Sequence, residues 1–159
     1  MFQYDELIEA GFKGFKTVSQ LTDNGLSSVT SAGGVYMFLY FNPTGAMPQF
    51  LPVGTGGFFK GKDPNVSIEE LQANWVDGTP VVYIGKATSL KSRLSQYMRF
   101  GQGANVGHFG GRYIWQIPGS ENLVVCWKPT DSDPRTVEAE LIQQFVSEFG
   151  KRPFANLRD

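Results

Sequence analysis

The chain has 159 residues, 41% hydrophobic and 18% charged, with a formal net charge of −1. That balance excludes a disordered polar chain and is enough for one domain with its own core. No apolar run approaches the roughly 20 residues of a membrane helix, and a single cysteine, Cys126, excludes an internal disulfide.

The start, MFQYDELIEA, is acidic and lacks the basic end and apolar centre of a signal peptide. A reducing, cytoplasmic location is therefore expected. Residues 3–10 predict a short helix with Tyr4, Leu7 and Ile8 on one side. A glycine-aromatic segment, GFKGFKTVSQL, and a turn-rich run, TDNGLSSVTSAGG, lead into the first strand. That strand, GVYMFLY at 34–40, turns Val35, Met37 and Leu39 one way and Tyr36, Phe38 and Tyr40 the other.

Residues 42–78 are long for a connection and rich in proline and glycine. Ser67 and Glu70 predict a capping box, with Ile68, Leu71 and Trp75 at helical spacing behind it. Within this stretch Gly56–Lys62 matches GxxxxGK, but Asp63 stands where a phosphate-binding loop needs a hydroxyl. It reads as a glycine loop, or as a loop whose Phe58, Phe59, Lys60 and Lys62 touch substrate.

VVYIGKATSLKSRLSQY at 81–97 predicts a buried strand, a glycine turn and an amphipathic helix. Val82 and Ile84 are expected on one face, Tyr83 and Gly85 on the other, with Leu90, Leu94 and Tyr97 forming the helix's apolar stripe. Glycines at 101, 103, 107, 110 and 111 mark a loop feeding a strand over 113–117. LVVCW at 123–127 is expected to pair with that strand as an antiparallel hairpin and to bury Cys126. Asp133-Pro134 signals a helix start, Val137, Leu141, Phe145 and Phe149 its core stripe, and Gly150 its stop.

Charge is unevenly spread. Residues 1–80 carry four Lys/Arg against eight Asp/Glu, whereas residues 81–159 carry ten against seven. A tyrosine, a lysine and an arginine beside a glycine turn suit a phosphodiester, because the backbone comes close and cations neutralise phosphate. The basic excess in the second half points the same way.

GVY at 34–36, YIG at 83–85, the LxxR step from Leu90 to Arg93, ExxLI at 138–142 and PxxN at 153–156 occur in this order. Together they resemble the core of the GIY-YIG nuclease superfamily. The resemblance implies an α+β fold, a small central, mainly antiparallel sheet flanked by helices. It implies a single domain over 1–159, with 1–32 an N-terminal extension packed on the core and 42–78 an insertion between the GVY and YIG strands.

It also implies a metal-dependent endonuclease that hydrolyses DNA phosphodiester bonds, with Mg²⁺ or Mn²⁺ held by Glu138. A hard cation takes carboxylate oxygen and water. Glu140, about 200° away around a helix, is the rival ligand. Tyr36 or Tyr83 would orient or deprotonate the attacking water. A phenol with an ordinary pKa near 10 needs a cation nearby for that, and Lys86 and Arg93 are at hand. Arg93 would clamp the phosphate. His108, the one histidine, has a pKa suited to acid-base work. Arg112 and Lys91 would contact the DNA backbone. Asn156 would bond substrate or tie the last segment to the site. Specificity would come from the insertion, the 101–112 loop, a homodimer or a partner protein. The alternative is a catalytically silent nucleic-acid-binding or assembly module on the same fold.

Overall fold

The computed structural model describes residues 1–106 and 108–157; Gly107, one of the loop glycines, lies outside them. The elements run α1 (Tyr4–Glu9), β1 (Lys13–Thr17), α2 (Val18–Asp23), β2 (Gly34–Leu39), α3 (Ile68–Asn74), β3 (Val81–Ala87), α4 (Leu90–Gly101), a 3-10 segment (Phe109–Gln116), a short 3-10 turn (Ser120–Asn122), β4 (Val124–Pro129) and α5 (Pro134–Phe149). The strands form one sheet in the order β1-β4-β2-β3, every pair antiparallel. This is the expected α+β architecture, a small antiparallel sheet flanked by helices. Among the described residues no helix is long and apolar enough to cross a membrane.

Alternation along β2 sets the two faces. Val35, Met37 and Leu39 point to one core cluster with Leu7, Ile84, Cys126, Leu141 and Phe145. Tyr36 and Phe38 point to the other, with Leu90, Leu94, Tyr97, Ile114, Trp115 and Trp127. Helix α5 closes the first face and α4 the second. Asp133 caps α5 by accepting from the Arg135 N–H, Pro134 opens it, and Gly150 ends it at φ +79°.

Strand β3 departs from simple alternation. Phe38 pairs with Tyr83 and Leu39 with Val81, so Val82 is the extra residue of a bulge. Val82 therefore joins Tyr83 on the α4 side instead of sharing Ile84's face. Its carbonyl accepts from Ala155 N–H at 2.8 Å, which docks the C-terminal segment on the sheet's outer edge.

The N-terminal 32 residues are more than a packed extension. Lys13–Thr17 is the other edge strand, paired with β4. Its register slips between Gly14 and Lys16, where Phe15 takes φ +53°. Such a bulge, flanked by two lysines, discourages pairing with another chain. Thr17 and Gln20 then form a reciprocal capping box that starts α2. In α1 Leu7 is buried, while Tyr4 and Ile8 stay exposed.

Residues 113–117 are not a strand, and β4 does not form a hairpin with them. The segment is a 3-10 helix lying on the α4 side. Tyr113, Ile114, Trp115, Gln116 and Ile117 are all buried. A short run buried on every side carries no period that separates strand from helix. The 42–78 insertion is built on this segment. Gln116 accepts from Val66 N–H at 3.0 Å and donates to the Leu51 and Val66 carbonyls, both at 3.0 Å. Ser67 caps α3 as expected, but Glu70 does not complete the box; its carboxylate accepts from the Tyr113 hydroxyl. Phe50 and Trp75 of the insertion pack on Phe154 of the tail at 5.3 and 5.1 Å between centroids. The Gly56–Lys62 stretch is closed by a Phe59–Lys62 bridge and leads to no helix before Ile68, so it is not the mouth of a phosphate-binding helix.

Candidate active site

The site begins where β2 and β3 run side by side. Tyr36 pairs with Gly85. A Cβ at position 85 would lie 2.3 Å from Tyr36 Cζ, so only glycine leaves room for the ring to lie across the strand. Tyr83, two residues earlier on the same face, sits 6.1 Å from Tyr36 between ring centroids and 5.2 Å from Tyr97 of α4. His108 stacks on Tyr97 at 3.7 Å and 10°, and its Nε2 lies 3.1 Å from the Tyr36 hydroxyl. The direction of that hydrogen bond follows the His108 tautomer. The Tyr97 hydroxyl donates to the Gly111 carbonyl. Four rings from three elements and a loop thus share one buried wall.

Arg93 enters from the second turn of α4. Its guanidinium hydrogen-bonds the Tyr36 hydroxyl and donates from Nη1 to Gln96 Oε1 at 2.7 Å. Beside it opens a cavity of about 380 Å³ lined by Thr88, Ser89, Ser92, Arg93, Gln96 and Arg99. Glu138 comes from the second turn of α5, 17% exposed, with Oε1 at 3.4 Å from Lys86 Nζ. It is close enough to both tyrosine hydroxyls to disfavour their ionisation.

Burial dominates the protonation of the wall. It pushes the Tyr36 phenol well above its usual range; Tyr83 and Glu138 add to this, and Arg93 opposes it. Tyr83 is pushed up to about 12, first by burial and then by Glu138, against Arg93 and a hydrogen bond from Tyr36. Burial also raises Tyr97. It drives His108 the other way, to about 3, helped by the Arg93 charge. At neutral pH the tyrosines are phenols and the histidine is a neutral ring. Neither Arg93 nor Lys86 makes a phenolate here; Lys86 spends its charge on Glu138. The hydroxyls act as hydrogen-bonding groups and not as resting bases.

Tyr36, Tyr83, Arg93, Glu138, Lys86 and His108 are therefore brought together. Glu140 is exposed, away from them. Lys91 is on the first turn of α4, two residues before Arg93 and so about 200° around the helix, which separates it from the site. Asn156 ties the tail down: its Oδ1 accepts from Ile84 N–H at 2.9 Å and its Nδ2 donates to Ile84 O at 2.8 Å. Of its two expected roles, these bonds are the tie. Arg112 stands over the Tyr113 ring at 5.7 Å, in a different cavity.

Two side chains in contact with the site carry little signal of it in the sequence. Tyr97 sits at a stripe position, where an aromatic reads as core; only its hydroxyl, which needs a partner once buried, hints at more. Gln96 carries no local signal.

Among the described residues no three His, Cys, Asp or Glu side chains gather as a ready-made metal site. The donor set still fits a hydrated divalent ion. Glu138 offers hard oxygens at the edge of the wall, and Mg²⁺ commonly takes one or two carboxylates and fills its shell with water. No protein-family model matches this chain, and neither a curated protein nor a solved structure matches it.

Proposed function

We propose that the protein is a metal-dependent endonuclease of the GIY-YIG type, hydrolysing phosphodiester bonds in DNA. One observation carries the reading: Tyr36, Tyr83, Arg93 and Glu138, spread over about two-thirds of the chain, lie around a single wall. Hydrolysis of a phosphodiester needs a positioned water, a cation on the phosphate and stabilisation of the leaving oxygen. Arg93 grips the phosphate, since a guanidinium stays charged and offers paired donors. Its cavity supplies the hydroxyls of Thr88, Ser89 and Ser92 and the charge of Arg99 around that phosphate. Tyr83, at 9% exposed against 1% for Tyr36, meets the water and orients it through its hydroxyl. Tyr36, held between Arg93 and His108, fixes the arginine in place. His108 stays neutral and keeps the Tyr36 hydroxyl aimed. Glu138 is the residue that would hold Mg²⁺ or Mn²⁺, and the ion would add Lewis-acid stabilisation of developing oxygen charge.

One observation favours a second reading, a nucleic-acid-binding or assembly module without turnover. The Glu138 carboxylate is already engaged by Lys86. Plasmid relaxation separates the two. Wild type with Mg²⁺ or Mn²⁺ should nick supercoiled DNA, and Arg93→Ala should lower the rate by about 10²–10³-fold, as loss of one charge-stabilising donor does. Retention of DNA without nicking under either metal would leave the binding module.

A further inference from the structure

A cation-lined cavity lies outside the wall just described. It encloses about 740 Å³ between the end of α3, the 3-10 segment and the tail, and Asn74, Gly110, Arg112, Lys151, Arg152 and Asn156 line it. Three of these side chains are cationic, and among the described residues that line the cavity none is a carboxylate. In a chain of net charge −1, with 15 acidic residues, that is an uneven local composition.

Two of the cations bond backbone carbonyls. Arg152 Nη1 donates to the Leu157 carbonyl at 3.0 Å, and Lys151 Nζ lies 3.4 Å from the Ala73 carbonyl near the end of α3. Arg112 is propped on the Tyr113 ring. Anchored cations lose less side-chain freedom when an anion arrives.

The cavity also abuts the tyrosine wall. Asn156 lines it while bonding the Ile84 backbone, one residue from Tyr83. Gly110 lines it too, and a Cβ on the next residue, Gly111, would meet the Tyr97 hydroxyl at 2.3 Å and the Tyr83 ring at 3.0 Å. A polyanion seated at Tyr83 and Arg93 therefore has a second cationic seat next to the first.

We propose that the cavity walled by Arg112, Lys151 and Arg152 is a second phosphate subsite, holding the DNA backbone beside the reacting phosphodiester. The proposal rests on the phosphodiesterase reading and extends it, beyond Arg112, to Lys151 and Arg152, whose sequence context does not mark them. The subsite positions the strand and takes no part in the bond-breaking step.

Neutralising a phosphate releases condensed counterions, so each contact steepens the salt dependence of binding by about 0.9 in the log–log slope for duplex DNA. Binding of a fluorescein-labelled duplex oligonucleotide would be followed by anisotropy in EDTA over a range of NaCl. The double variant Arg112→Gln/Lys151→Gln should give a slope shallower by about 1–2 than wild type. Lys13→Gln, on the opposite edge of the sheet, should not change it. Arg152→Gln is the third arm, read only if its thermal unfolding matches wild type, because its Leu157 bond also holds the tail. A slope equal to wild type in the double variant overturns the subsite, even if wild type cuts plasmid with Mg²⁺. A shallower slope, in a protein that no metal makes cut, keeps the subsite and removes the nuclease reading.

Discussion

The face of the sheet under α5 and the face under α4 are both closed to water, yet they differ in what they hold. Under α5 lie Phe2, Leu7, Val35, Met37, Leu39, Ile84, Leu141 and Phe145, with the Cys126 thiol the one buried titratable group in that cluster. Under α4 lie Tyr36, Tyr83, Tyr97 and His108 among the aromatics. Burying an apolar side chain yields stability without further conditions. Burying a hydroxyl or an imidazole costs free energy unless each polar atom finds a partner. The α4 face meets that condition only in part: His108 Nδ1 and the indole N–H groups of Trp115 and Trp127 have no partner among the described residues. One face is optimised for packing, and the other gives up some stability to keep polar groups in fixed places. Unmet hydrogen bonds of this kind concentrate at working sites.

The contrast can be broken most forcefully at Phe145. It is fully buried and packs edge-on against Phe2 at 5.0 Å. Phe145→Ala should cost about 3–5 kcal/mol, read by urea unfolding, since it opens a cavity where nothing else fills the space. A loss under about 1 kcal/mol would mean that the α5 face is not the stabilising one.

Acid should act through the other face. His108 is held near pKa 3 when folded, against 6.5 for a free ring. The unfolded chain therefore takes up the proton first. This group contributes no penalty above about pH 6.5. It destabilises progressively as pH falls toward 3, at up to about 1.4 kcal/mol per pH unit. Replacing it in His108→Gln should flatten the stability profile between pH 6.5 and 4, compared with wild type in the same buffers. Parallel profiles for the two proteins would show that the ring is not held neutral by burial.

Asn156→Ala tests how the tail shapes the active face. Losing both bonds to Ile84 should cost about 1–3 kcal/mol. The Ile84 amide should then exchange its hydrogen faster, while amides of β4 keep their protection. Smaller still, Ser67→Ala removes the α3 cap and should cost about 1 kcal/mol. Because α3 belongs to the insertion and not to either face, that loss should leave the acid profile of His108 unchanged.

Much of this arrangement was legible beforehand because the residues carrying it sit in periodic or capped stretches. Strands β2 and β3 alternate over hydrophobic runs, α4 repeats Leu90, Leu94 and Tyr97, and α5 is bracketed by Asp133-Pro134 and Gly150. Strand β1 was not legible: KGFKT holds two lysines and a glycine, and the bulge at Phe15 destroys its period of two. The 3-10 segment reads as a strand because its buried run is too short to show a period. The Val82 carbonyl at the bulge accepts from the tail's Ala155, far away in sequence, a contact that no local pattern announces. At the site, Tyr36, Tyr83, Arg93 and Glu138 stand in motifs. Gln116, Lys151 and Arg152 owe their positions to tertiary packing and look like ordinary polar residues. Lys91, two residues from Arg93, points about 200° away around α4, and proximity in sequence says little about direction around a helix.

Single-turnover cleavage of an end-labelled duplex by Glu138→Gln beside wild type, in Mg²⁺ and in Mn²⁺, tests the nuclease reading most directly. The account predicts that wild type cuts and that the variant binds the duplex with wild-type affinity in EDTA but cuts at least about 100-fold more slowly. Equal cutting by the two proteins, or none by wild type with either metal, would contradict it.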